Sequence, residues 1–160
     1  MLDRKKSLMA MLISSAGFIS MALAAPLSSS SPVGYWKTID DITGKPKSII
    51  QIWKASDEAL MGKVIRLYPK AGVNIDNKIC QACKGSLHNQ PVVGMVILSG
   101  LKPAKKQWGE GKILDPANGK TYDCSARLTA DGEKLLVRGY IGMPLFGRSQ
   151  TWERVDLMSG

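Results

Sequence analysis

The fold of this chain is decided by two stretches near its beginning and its end, Gly34-Tyr35-Trp36 and Thr151-Trp152-Glu153-Arg154. Alternate side chains of a strand face the same side of the sheet, so Trp152 and Arg154 share one face. If the two stretches lie on paired strands, the guanidinium of Arg154 reaches the indole of Trp36, where a cation stacks favourably. Pairing of the first and last strands closes a sheet into a barrel, which leaves no unpaired edge.

Short β-like runs separated by turn signals fill the chain between these two stretches. Asn118-Gly119 and Asp131-Gly132 supply the positive φ angles that tight hairpins need. The predicted strands are 33–39, 47–54, 59–68, 92–99, 106–115, 120–129, 133–142 and 146–155. We therefore predict one all-β domain, residues 33–156, folded as an eight-stranded antiparallel up-and-down barrel. The alternative is a β-sandwich whose tryptophans are ordinary core residues.

The first 24 residues have the three parts of a cleavable signal peptide. Three basic residues, Arg4, Lys5 and Lys6, precede an apolar run from Leu8 to Leu23 that ends in the exit Ala22-Leu23-Ala24. A Pro/Ser-rich segment, residues 25–32, follows and is predicted to be a flexible linker. We expect a periplasmic or secreted protein with no transmembrane segment after cleavage.

The charge of the chain is strongly positive, +9 over 160 residues. Removing residues 1–24, which carry three basic residues and one acid, leaves +9 − 2 = +7. Such a surplus favours association with anionic envelope surfaces or an anionic ligand. The basic residues are spread along every segment and no run of five occurs, so nucleic acid is not an expected partner.

The two terminal stretches resemble the signature of the calycins, the group that contains lipocalins and fatty-acid-binding proteins. In that group a Gly-x-Trp on the first strand is crossed by a basic residue of the last, here Gly34, Trp36 and Arg154. A closer resemblance is to the bacterial exported family known as domain of unknown function (DUF) 2147. It is carried by residues 33–38, 90–95, 111–116, 118–122, 138–142 and 146–152. It implies a lipocalin-like barrel in the cell envelope and no known activity.

The even-numbered residues of the last strand are the candidate ligand site. If Arg154 faces inward, alternation puts Arg148 and Gln150 inside as well, toward the middle of the barrel. An unpaired charge there must be compensated, and an anionic ligand would do so. In position, this pair is similar to the last-strand Arg-x-Tyr that holds the carboxylate in fatty-acid-binding proteins, with Gln150 in place of the Tyr. The alternative is a purely structural Arg148 that pairs with Glu110 or Asp123.

The walls of the predicted pocket are aromatic. We expect them to come from Trp36, Trp152 and Phe146, together with the apolar faces of the sheet.

Three cysteines add a further set of candidates. Cys80 and Cys83 lie in the one long predicted loop, residues 69–91, and Cys124 lies on a strand. An oxidising compartment favours a disulfide, either Cys80–Cys83 or one of the two with Cys124. The alternatives are a Cys3His zinc site with His88, which lacks a second CxxC, and a redox-active pair, for which no thioredoxin-like βαβ pattern is present.

No catalytic motif is present, so we do not predict an enzyme, a cofactor or a metal. The leading hypothesis is a barrel that binds a small hydrophobic, amphipathic or anionic molecule. The second is a non-enzymatic envelope interaction or stress protein with a filled barrel, and the third is a thiol or metal protein built on the 80–88 loop. A cavity of several hundred Å³ favours the first hypothesis, and a packed interior favours the second.

Overall fold

A computed structural model describes residues 31–157 except 73, 76 and 106. The predicted signal peptide and residues 25–30 of the predicted linker lie outside the described residues. The strands are β1 (Gly34–Ile39), β2 (Pro46–Lys54), β3 (Leu60–Leu67), β4 (Val96–Ala104), β5 (Gln107–Asp115), β6 (Lys120–Leu128), β7 (Lys134–Tyr140) and β8 (Gly147–Val155). Among the described residues, no helix has the length and hydropathy needed to cross a lipid bilayer.

The sheet is a closed antiparallel barrel in the order β1 to β8, as the sequence predicts. The closing pair is β1 with β8, and Trp36 lies directly opposite Arg154. Because consecutive connections of such a barrel alternate between its ends, residues 55–59, 105 and 129–133 lie with the start of β1 at one end. We call this the capped end. The connections 40–45, 68–95, 116–119 and 141–146 lie at the other end, which we call the loop end.

The predicted strand at 92–99 is displaced in the structure, where β4 spans 96–104. Val92 and Met95 are buried, but they belong to the end of the long loop rather than to the strand. Their apolar character reflects burial of the loop against the barrel core, which a sequence pattern cannot distinguish from a short buried strand.

The interior of the barrel is a contiguous apolar cluster to which all eight strands contribute. Alternation places Trp36, Ile50, Leu98, Leu135 and Trp152 in it, all fully buried. Four residues of the long loop join the same cluster: Cys80, Cys83, Val92 and Met95. The long loop therefore packs over the loop end and completes the core there.

Candidate ligand site at the loop end

The capped end is closed by Arg154. Its guanidinium carbon lies 4.3 Å from the ring centroid of Trp36. Its nitrogens donate to the carbonyl oxygens of Gly132 (2.7 Å), Val33 (3.1 Å) and Ser31 (2.7 Å). Burial lowers the pKa of Arg154, and the nearby Glu133 carboxylate opposes that effect.

The structure of the capped end also depends on Gly34 and on the indole N–H of Trp36. Gly34 has a φ of +136°, and a Cβ there would lie 2.9 Å from a terminal nitrogen of Arg154. The indole N–H of Trp36 donates to the carbonyl oxygen of Pro32 at 2.8 Å. Ser31 and Pro32, assigned to the linker from sequence, are thus tied to the barrel by their carbonyl groups. The predicted contact between Arg154 and Trp36 is confirmed, and Gly34 allows the close approach.

Arg148 lies at the rim of the loop end. Its side chain is 71% exposed, and its terminal nitrogen forms an ion pair with Asp41 Oδ2 at 2.8 Å. The prediction that Arg148 lies toward the middle of the barrel is therefore wrong, because β8 has only just begun at this residue. The predicted structural partners are wrong as well: Glu110 pairs with Lys102, and Asp123 pairs with Lys112.

Gln150 connects this rim to the buried core. Its amide nitrogen donates to Asp41 Oδ2 at 2.9 Å, and its amide oxygen accepts from the indole N–H of Trp152 at 3.2 Å. Gln150 therefore shares the face of the buried Trp152, as alternation predicts. The carboxylate of Asp41 is held by both Arg148 and Gln150, which fixes the connection 40–45 against the start of β8.

Phe146 is not on the inward face of the last strand, contrary to the sequence prediction. The strand begins one residue later, and Phe146 ends a short 3₁₀ turn, Pro144–Phe146. Its side chain is 72% exposed. Pro144 explains the error, since the turn continues for two residues beyond Gly142-Met143-Pro144, where the pattern predicts its end.

Asp41 is the site residue that sequence reasoning missed. It lies between the first two predicted strands, 33–39 and 47–54, and its distance from Arg148 in the sequence gives no reason to connect the two. The contact can be found from the register of β1 with β8. Because Trp36 lies opposite Arg154 in an antiparallel pair, each later residue of β1 lies opposite a residue one position earlier on β8. That rule brings residue 41 next to residue 149.

A pair of buried hydroxyl groups lies on the inward face of β1 and β2. Thr38 Oγ1 and Ser48 Oγ are 2.7 Å apart, and the backbone N–H of Ser48 donates to Thr38 Oγ1 at 3.1 Å. Because these buried hydroxyl groups are hydrogen-bonded to each other, neither is left as an unpaired donor or acceptor in the interior.

The cysteines form the disulfide Cys80–Cys83 and leave Cys124 as a free, buried thiol. Burial raises the pKa of the Cys124 thiol to about 12, so at neutral pH it is an unreactive thiol. His88 Nδ1 lies 3.1 Å from the carbonyl oxygen of Cys83. Among the described residues, no group of three or more His, Cys, Asp and Glu side chains could hold a metal ion.

The disulfide segment rests on the turn between β5 and β6. Cys80 Sγ lies 3.3 Å from the carbonyl oxygen of Pro116. Gly119, with φ of +69°, approaches the segment so closely that a Cβ there would lie 1.8 Å from the carbonyl oxygen of Ala82. Two backbone hydrogen bonds, Cys80 N–H to Gln90 O and Asn89 N–H to Cys80 O, hold the segment together. The long loop is therefore a folded cover.

A small groove lies on the outer face of the barrel. It encloses about 160 Å³ and is lined by Gln107, Ser125, Ala126, Arg127, Leu136, Arg138 and Ser149. Pockets for drug-sized ligands measure roughly 300–1,000 Å³. This groove is too small for such a ligand, and the exposed guanidinium of Arg148 lies outside it.

Comparison with known proteins agrees with the fold. A family model described as "Uncharacterized protein conserved in bacteria (DUF2147)" matches residues 34–154. Among solved structures, the chain is similar to protein HP1028 from Helicobacter pylori, described as belonging to the lipocalin family, with a TM-score of 0.68. The two chains are 21% identical over 81% of this chain and 86% of that one, a likeness that concerns the fold alone. No curated protein sequence matches this chain.

Proposed function

Because the chain belongs to the DUF2147 family and folds as a lipocalin-like barrel, we propose that it is an exported protein that binds a small anionic amphiphile at its loop end. The observation that carries the proposal is the exposed guanidinium of Arg148 at the rim, with Gln150 and Phe146 beside it in the chain. Lipocalin-like barrels bind ligands at their mouths. Because the long loop covers this end of the barrel, we place the ligand on the rim beside Arg148.

The ion pair of Arg148 with Asp41 favours an exchangeable anion site. Exposed ion pairs contribute about 0–1 kcal/mol, so an incoming carboxylate or phosphate competes with Asp41 at little cost. The planar guanidinium also keeps donors that one carboxylate oxygen does not use, and it can bind an oxyanion in bidentate geometry. Gln150 donates to the same oxygen of Asp41, so the Asp41 carboxylate keeps one partner when the ligand displaces it from Arg148.

The apolar surface that we propose for the rest of the ligand is the ring of Phe146. Phe146 is two positions before Arg148 and presents most of its ring to solvent. The aromatic residues Trp36 and Trp152, proposed from sequence as pocket walls, are fully buried in the core. In our proposal Trp152, which donates to Gln150, supports the site from below, whereas Trp36 belongs to the capped end, and the exposed ring of Phe146 contacts the ligand.

Export to an oxidising compartment agrees with the chemistry of the cysteines. The disulfide Cys80–Cys83 folds the cover of the loop end, and such bonds persist outside the cytoplasm. Together with the leader-like residues 1–24, it supports a periplasmic or secreted protein.

A second candidate function is an envelope interaction protein with a filled barrel. The contiguous buried cluster that joins all eight strands and the long loop favours it. The third hypothesis, a thiol or metal protein, is less well supported, because both disulfide sulfurs belong to buried residues and burial suppresses ionisation of the Cys124 thiol.

The test is the substitution Arg148→Leu, with Arg127→Leu as the matched control. Both remove one exposed arginine and one positive charge, but Arg127 lies on the outer face of β6. We expect Arg148→Leu to weaken binding of a fluorescent fatty-acid probe at least about tenfold, the loss of one charge-assisted hydrogen-bonded pair. The control should bind the probe as the unmodified protein does.

Probe affinity is measured by titration in solution without lipid. Unchanged binding in Arg148→Leu would remove the case for an anionic ligand and favour the interaction-protein function. Native mass spectrometry of protein purified from the envelope then identifies any ligand that accompanies it.

A further inference from the structure

The most exposed large apolar side chains of the described residues all lie at the loop end. They belong to two connections, 40–45 and 141–146, and are between 62% and 91% exposed: Ile42, Ile141, Met143, Leu145 and Phe146. The next most exposed, Val93, is at 46%. A soluble protein rarely presents so many large apolar groups together unless they meet a partner or a membrane.

The two connections are neighbours, because β1 pairs with β8. The ion pair between Asp41 and Arg148 and the hydrogen bond from Gln150 to Asp41 tie them together. Arg138 holds the second connection from below, donating to the carbonyl oxygens of Pro144 (2.6 Å) and Leu145 (3.2 Å). The exposed side chains are thus presented by a backbone that is fixed to the barrel.

The five exposed side chains of connections 40–45 and 141–146 are called the apolar tip below, and the residues around them carry a positive net charge. Residues 138–148 contain two arginines and no acidic residue, and in residues 40–47 the lysines Lys45 and Lys47 balance the two acids that precede Ile42, so the two segments together carry a net charge of +2. The chain without residues 1–24 carries a net charge of +9 − 2 = +7. Apolar side chains at a tip with cations around it are the features by which peripheral proteins bind the interface of an anionic membrane.

We infer that connections 40–45 and 141–146 insert their apolar side chains into the interface of an anionic lipid bilayer, with the surrounding lysines and arginines on the headgroups. A protein partner fits this surface less well, because a specific interface buries about 800 Å² per partner and the apolar groups are confined to the tips of two short connections. The inference does not depend on a ligand bound at Arg148.

The test is co-sedimentation with vesicles, using protein expressed with residues 1–24 in place and purified from the envelope. The vesicles are phosphatidylglycerol mixed with phosphatidylcholine, and phosphatidylcholine alone. The double variant Met143→Ser/Leu145→Ser removes two apolar groups of the tip and keeps Phe146, which the proposed ligand site uses. The control Leu157→Ser removes an apolar group that follows β8, beyond Arg154 at the opposite end.

We expect binding to the anionic vesicles, at least about tenfold weaker partitioning for the double variant, and no change for the control. All three proteins should have the same circular dichroism spectrum and unfolding midpoint. Failure of the unmodified protein to bind anionic vesicles would overturn the inference, as would equal binding by the double variant. A dimer in solution that the double variant dissociates would also overturn it, since the tip would then be covered by a second copy.

Discussion

Two arginines on β8, six positions apart, belong to the two ends of the barrel and have opposite environments. Arg154 donates to three backbone carbonyl groups and lies against the ring of Trp36. Arg148 has one carboxylate partner and is 71% exposed. The same type of side chain therefore stabilises the fold at the capped end and remains largely exposed to solvent at the loop end.

The difference shows why residue type alone did not assign a role to either arginine. At the capped end, backbone carbonyl groups converge on the guanidinium and replace its hydration. At the loop end, the connections carry side chains outward, and solvent remains in contact with the charge. Substitutions at the capped end should therefore lower the free energy of unfolding more than substitutions at the loop end.

The largest expected effect is at Trp36. Trp36→Ala should lower the free energy of unfolding by about 3–5 kcal/mol, because it removes a fully buried aromatic ring and its stacking with Arg154. Urea denaturation followed by circular dichroism measures it. Trp53→Ala, which removes a partly exposed tryptophan of β2, is the control and should cost about 1 kcal/mol. Equal losses in the two variants would contradict a special role for the capped end.

The comparison is tested most directly by the matched pair Arg154→Leu and Arg148→Leu. The first should cost about 2–3 kcal/mol, because it leaves three carbonyl groups without their donor. The second should cost less than about 1 kcal/mol, since it breaks an exposed ion pair. Thermal and urea unfolding of both proteins measure the difference. If Arg148→Leu were the more destabilising, the assignment of the two ends would be reversed.

A smaller and more local effect is expected from the cover of the loop end. Cys80→Ala/Cys83→Ala opens a loop of about four residues, which should cost about 2 kcal/mol. Hydrogen exchange should accelerate at the amides of Cys80 and Asn89 in the long loop and stay unchanged at Arg154, whose amide bonds to Glu133. Faster exchange at both ends would show that the two ends unfold together.

In the unmodified protein, denaturation without reductant should expose one reactive thiol, that of Cys124.

The closed barrel could be predicted from the sequence because its signals are local or periodic. Turn dipeptides such as Asn118-Gly119 mark the hairpins, and alternation places Trp36, Trp152 and Arg154 on the inward face. The resemblance to the DUF2147 family supported the same architecture. The pairing Cys80–Cys83 was one of the alternatives that spacing and compartment left open.

The candidate site was predicted less well, because it depends on where strands stop. Phe146 was placed on β8, but the strand begins at Gly147, and that one-residue difference moves the ring from the core to the solvent. Arg148 alternates along β8 with Gln150 and Trp152, as predicted. Its side chain is nevertheless exposed, because β8 begins at Gly147 and the barrel ends there. Its partner Asp41 belongs to a turn 107 positions away, and only the register of β1 with β8 reveals the contact.

The pairing of Trp36 with Arg154 also constrains how the chain folds. These residues are 118 positions apart (154 − 36 = 118), and β1 has no second neighbour until β8 arrives. Closure must therefore be a late, non-local step, and barrels of this kind fold more slowly than chains with local contacts. A chain synthesised from its N-terminus holds an unpaired strand edge until β8 emerges, and that edge is a site for aggregation. Truncation before Arg154 would make this transient state permanent.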